Sequence, residues 1–168
     1  MNKIIIALIA VLMLAAPALA ETKIAYVDLQ KALNLSKAGV KAKNAIAAQV
    51  KKYEAEFKTK QEDLQKLKTE LEKQAVLLSD SAKAQKERDF QQNVKELQRF
   101  QKDVKEELQQ SDADATKKIL NELFEILQKV GKDGGYQMVI EKNEGAVIYA
   151  DESVDLTDEL IKAFDAAQ

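Results

Sequence analysis

Between Val40 and Val130 the apolar residues of this 168-residue chain recur with one rhythm, and neither proline nor glycine interrupts it. In the first half they fall at Ile46, Val50, Tyr53, Phe57, Leu64, Leu67, Leu71 and Leu78, alternately four and three apart, with Lys60 and Gln74 in the two remaining seats. That spacing is the seam of a coiled coil rather than the broader stripe of a helix lying on a globular core. The second half repeats it through Phe90, Val94, Leu97, Gln101, Val104, Leu108, Ser111 and Ala115. After Ala115 two steps of four lead through Ile119 to Leu123, and the pattern then continues to Ile126 and Val130. An inserted step of this kind unwinds a supercoil locally. The helix is therefore expected to leave its coiled-coil partner there and enter the body of the protein.

The two seams mirror one another about Asp80. Antiparallel pairing sets Leu71 against Phe90, Leu67 against Val94, Phe57 against Val104 and Tyr53 against Leu108, and it brings the polar seats Lys60 and Gln101 together. The centre falls in Leu77-Leu78-Ser79-Asp80-Ser81, where Ser and Asp supply the side chains that cap helices and close turns. Residues 40–130 thus read as an antiparallel helical hairpin with its tip near 79–81 and arms ~60–70 Å long at ~1.5 Å per residue. The alternative is a continuous rod in a parallel dimer, which would leave Ser-Asp-Ser mid-helix without a reason. The five weak seats, Lys60, Gln74, Gln101, Ser111 and Ala115, fit either register control, which polar seam residues provide, or an arm made to flex.

Residues 21–39 and 131–168 read as a small β body. Lys23–Leu29 is strand-like, and Asp28 is placed to cap a following helix. Tyr136–Glu141 and Ala146–Ala150 read as two strands of a hairpin around Lys142-Asn143-Glu144-Gly145. A terminal helix opens at Thr157-Asp158-Glu159 and ends near Phe164. The fold class is mainly α with three short strands. A body this small is marginal alone, and open sheet edges invite pairing with other chains. Ile24, Tyr26, Val27, Met138, Ile140 and Ile148 are its candidate oligomer-forming residues.

The first twenty residues stand apart. Lys3, the apolar run Ile4–Ala15 and the small-x-small site Ala18-Leu19-Ala20 read as a signal peptide, cleaved between Ala20 and Glu21. The run is too short for a spanning helix. The remaining chain carries 25 basic residues (26 less Lys3) against 28 acidic ones, a net charge of −3 that gives no cause to expect nucleic acid. Residues 40–130 are slightly basic at +2 and residues 131–168 acidic at −6, while eight lysines face four acids between Lys41 and Lys68. This even mix supports at most a weak contact with a membrane surface. With neither histidine nor cysteine there is no ordinary metal site and no Cys/His or Ser/His nucleophile pair, so neither cofactor nor catalysis is expected. Gly131-Lys132 lacks the rest of a phosphate loop, and the acids of 151–158 lack the spacing of a calcium loop.

Taken together, the signal, "KIAYVDLQKALNLSKAG" (Lys23–Gly39), the long Lys/Glu/Gln hairpin, "GYQMVIE" (Gly135–Glu141), "AVIYAD" (Ala146–Asp151) and "DLTDELIKAF" (Asp155–Phe164) resemble the Skp/OmpH family of periplasmic chaperones. The resemblance implies a homotrimer whose subunits share a strand-built body and whose hairpins surround a cavity. It further implies an ATP-independent holdase for unfolded outer-membrane proteins. A pI near 5.4 departs from the strongly basic members, and no cluster of Arg and Lys carries lipopolysaccharide binding over to this chain. The alternative reading is a coiled-coil scaffold or spacer of the envelope, which would need a rigid, well-filled seam. Individual client-contacting residues are not legible, because holdase contacts are diffuse.

Overall fold

A computed structural model describes residues 22–74, 78–143, 145 and 147–168. Strand β1 spans Ile24–Val27 and leads through Asp28 into helix α1, Leu29–Leu35. The Asp28 side chain accepts the backbone N–H of Lys31 at 2.7 Å, satisfying one of the free donors of the first turn. The chain breaks at Ser36, whose extended backbone ends α1, and re-enters helix α2, Lys37–Gln74. After the tip, helix α3 runs for 54 residues, Asp80–Asp133, and carries Gly131 inside it. Gly134 caps that helix. Gly135 turns the chain with a positive φ of 68°, a conformation that suits glycine, and strand β2 follows at Met138–Glu141. A short 3-10 turn at Glu152–Val154 precedes helix α4, Thr157–Ala167, which runs three residues past the expected end at Phe164.

The two strands pair in parallel, with Ile24 opposite Met138 and Val27 opposite Glu141. Parallel strands need a long crossover connection, and here the whole helical arm serves as one. The other edge of β1 takes a single bridge from Tyr26 to Asp155, closed by the Leu156 N–H donating to the Tyr26 carbonyl at 2.9 Å.

The core is small and lies where α3 passes the body. Val27, Leu29, Ala32, Ile119, Leu123, Leu160 and Phe164 pack into one cluster. Ile119 and Leu123 are the residues at which the seam changes step, and they are the only two apolar side chains of α3 that are buried. The terminal helix is strapped on by polar contacts as well. Asp28 donates its backbone N–H to the Thr157 hydroxyl, Lys31 pairs with Asp158 at 2.7 Å, and Asp165 accepts the backbone N–H of Lys37 at 2.8 Å. The last contact caps the arm helix α2 from the opposite end of the chain.

One expectation fails. The segment expected as a third strand forms none: among its described residues, 147–150, no ladder is present, and Ile148 and Tyr149 are 97% and 87% exposed. The outer edge of β2, which the expected hairpin would have used, carries no strand among the described residues.

Candidate functional site

The arm is built with almost no interior. None of the 38 residues of α2 is buried. Its seam residues Ile46, Val50, Tyr53, Phe57, Leu64, Leu67 and Leu71 are half-buried, as are Phe90, Val94, Leu97, Val104 and Leu108 of α3. Two helices cover only one side of each seam residue, so an apolar stripe, interrupted at its polar seats, stays partly open to water along the hairpin. At the polar seats Lys60 and Gln101 the seam opens fully, and both residues are exposed.

Contacts across the seam confirm its direction. Tyr53 donates its hydroxyl to Glu107 at 2.6 Å, and its ring meets Phe100 edge-on, with centroids 6.1 Å apart and planes at 70°. The Glu107 carboxylate holds the Tyr53 phenol above its usual pKa, helped by partial desolvation. Lys86 lies 4.0 Å from Glu70 nearer the tip. Lys60 turns its ammonium over the Phe100 ring at 5.3 Å and towards Glu56 at 3.7 Å, so the one lysine in the α2 seam reaches an aromatic face and a carboxylate instead of an empty core seat.

Lys60 also separates two different surfaces. On the body side an apolar groove of about 390 Å3 is walled by Val50, Tyr53, Phe57, Phe100, Val104 and Leu108. On the tip side a groove of about 420 Å3 is lined by Asp63, Lys66, Glu70 and Glu96 along with Leu64, Leu67 and Leu97. Where the arm joins the body, the small seats Ala115 and Gly39 leave a third recess, of about 260 Å3.

At the tip, Ser79 caps α3, its hydroxyl accepting from the Ala82 N–H and lying 3.2 Å from the Ser81 hydroxyl. Asp80 sits in the first helical turn, where a negative charge is favoured. Leu78 is half-buried, whereas Leu77 lies outside the described residues, as do the expected cleavage residues Ala20 and Glu21. Of the expected oligomer-forming residues, Tyr26 and Val27 are buried within the chain and Ile140 is half-buried. Ile24, Met138 and Ile148 are 44%, 54% and 97% exposed. Paired across the sheet, Ile24 and Met138 together make one apolar patch on it. Sequence reasoning missed Phe100, which flanks the seam; an aromatic residue directly before the polar seat Gln101 was the available signal. It also missed Phe124, 46% exposed beside the buried Leu123.

Among the described residues no helix is long and apolar enough to cross a membrane, and no cluster of three or more acidic side chains is placed to hold a metal ion.

A long helical hairpin standing on a small parallel sheet and a terminal helix is the fold of a crystal structure described as an OmpH-like outer membrane chaperone of Caulobacter crescentus. The two superpose with a TM-score of 0.82 at 20% identity, covering 91% of this chain and 88% of that one. The sequence is 31% identical over 157 residues to a Skp-like protein of Pseudomonas aeruginosa, covering 91% and 90% of the two chains, and 28% identical over 141 residues to an uncharacterised protein of Aquifex aeolicus, covering 84% and 85%. The family described as outer membrane protein (OmpH-like) matches residues 23–164, and the chain belongs to that family, one of chaperones rather than enzymes.

Proposed function

We propose that this protein is an ATP-independent periplasmic holdase that keeps unfolded outer-membrane proteins from aggregating until they insert. The observation that carries the reading is the arm itself: a helix of 38 residues whose whole apolar seam is half-exposed and none of which is buried. Such a surface offers many weak apolar contacts interleaved with charge and no fixed pocket. A client held by many small contacts stays mobile, and its residence comes from multiplicity rather than from one strong site. Release needs no nucleotide, because insertion into a membrane offers the client a deeper minimum.

The body favours an oligomer, and the family resemblance makes three the expected number of subunits. A two-stranded sheet is marginal in water. Here it stands beside an unstructured apolar segment, with Ile148 and Tyr149 almost wholly exposed and Ile24 and Met138 about half so. In the assembled protein residues 147–150 would supply the third strand to a neighbouring copy, and the shared body would hold the arms around a common cavity. Residues 21–39 and 131–168 then form the oligomerisation region and residues 40–130 the arm.

The test is aggregation of a urea-denatured outer-membrane β-barrel protein diluted into buffer, followed by light scattering with and without the mature chain and with no nucleotide present. Suppression near one oligomer per client is expected. Unchanged scattering would sink the holdase reading for this client class and favour a scaffold.

A further inference from the structure

We infer that Asp165 of the terminal helix is a positioning residue for the arm: its bond to the first residue of α2 sets the angle at which the hairpin leaves the body. The inference goes beyond the holdase reading and does not depend on it, because an arm angle is measured without a client. On that reading, the angle governs how bulky a chain the arms admit. The two helices of the hairpin join the body differently. α3 is one helix of 54 residues that serves both as arm and, through Ile119 and Leu123, as core. α2 reaches the body across the extended backbone of Ser36. None of its 38 residues is buried, although Ala38 and Ala42 rest against the core.

Side-chain packing holds this root of the arm loosely. The recess of about 260 Å3 between α2 and α3 has Gly39, Ala42 and Ala115 on its walls. Ala115 is also the last seat before the seam changes step, where a supercoil unwinds. Small side chains at this level leave α2 room to tilt against α3. The contacts that fix its first turn are polar. The Ser36 hydroxyl accepts the Gly39 N–H at 3.2 Å, and the Asp165 carboxylate accepts the Lys37 N–H at 2.8 Å. The first of these lies within the joint and moves with it, whereas the second reaches α2 from a separate element. A carboxylate at a helix N-terminus is favoured both by the hydrogen bond and by the helix dipole. Asp165 stands on a firm base. Its neighbour Phe164 and, a turn earlier, Leu160 are buried in the core. The start of α4 is tied to the sheet by the Leu156 N–H donating to the Tyr26 carbonyl. The terminal helix is thus a strut running from the edge of β1 to the root of the arm.

The chain lacks cysteine, so spin labels can be attached through Ala55→Cys on α2 and Glu159→Cys on α4, both exposed positions. Labelled residues 21–168, diluted into unlabelled protein, report the distance within one chain by pulsed electron paramagnetic resonance. Lys37→Pro removes the N–H that Asp165 accepts and leaves α4 untouched. Proline suits the first helical position, and the Ser36 backbone, at ψ 151°, already has the conformation that a following proline requires. Lys37→Pro and Asp165→Ala should each broaden the distance distribution and raise the share of displaced arms about fivefold, the population change that goes with one lost helix cap. Together they should do no more than either alone, because they remove the same contact. Asp165→Asn, whose amide oxygen still accepts the N–H, should recover most of the parent distribution. Gln168→Ala, which cuts the bond from α4 to Glu122 of α3, should leave the distribution unchanged. A merely stabilising contact would lower the melting temperature and keep the parent distances, and that result overturns the inference. Equal broadening by Gln168→Ala overturns it too, because any loosening of α4 would then suffice. If Asp165→Ala melts α4, Lys37→Pro decides alone: broadened distances support the positioning role and parent distances end it.

Discussion

A methyl group at Gly39 would lie 1.6 Å from the backbone oxygen of Leu33, so the kink between α1 and α2 closes only over a hydrogen. Gly39→Ala is expected to destabilise the protein by at least ~1–3 kcal/mol, because backbone and not a pliable side chain must give way. A thermal melt that matches the parent would show that the two helices do not cross this closely. Nothing in the sequence pointed to it, since the contact depends on a break at Ser36 set within a stretch that reads as helix. Asp155 is a second such residue. Burial raises its carboxyl, but the hydroxyl and backbone N–H of Thr157, the Tyr26 hydroxyl and the Lys31 ammonium outweigh that and hold it below the usual carboxylate range. A carboxyl lowered by folding stabilises the fold at pH values above its unfolded value of about 4, and this contribution is lost as pH falls through the folded value. Asp155→Asn should therefore melt below the parent at pH 7, and the gap should narrow by pH 3. A gap independent of pH would contradict the role of the charge.

At the scale of the element, the arm was legible because its rule is one-dimensional. A heptad seam needs only spacing, and every apolar seat named from the pattern between Ile46 and Leu108 is half-buried in the structure. The turn was legible because Ser79 does the capping that its chemistry allows. The third strand was only partly legible, because pattern reports fitness for a sheet without naming the chain that supplies the partner; Val147-Ile148-Tyr149 suits a strand by residue type and pairs with none in its own chain. The docking of α4 was also hidden, since Asp165 caps α2 from 128 residues away and no local pattern records such a pair. The weak seats can be tested directly. Lys60→Leu with Gln101→Leu gives up the exposed Lys60–Glu56 ion pair, a small loss, for apolar contact across the seam. The arm should gain about 1–2 kcal/mol from the added burial, read as a higher melting temperature of the helical signal. A lower melting temperature would mean that Lys60, between Phe100 and Glu56, is the better-packed choice.

For the whole molecule, the division of surface is the main lesson. The arm exposes its apolar residues diffusely and among charges, as suits an unfolded client, whereas the body concentrates Ile148 and Tyr149 in one uncharged stretch, as suits a copy of itself. Ile148→Glu with Tyr149→Glu should dissociate the oligomer while leaving the far-ultraviolet signal of the arms largely intact. An unchanged native mass would place the interface elsewhere. Whether arms held by a shared body enclose one unfolded chain is read from the native mass of residues 21–168, alone and after dilution of a urea-denatured outer-membrane β-barrel protein into them. The expected result is a homotrimer that gains the mass of one client with no nucleotide present. A monomer, or a trimer that gains no client mass while the client precipitates, would contradict it.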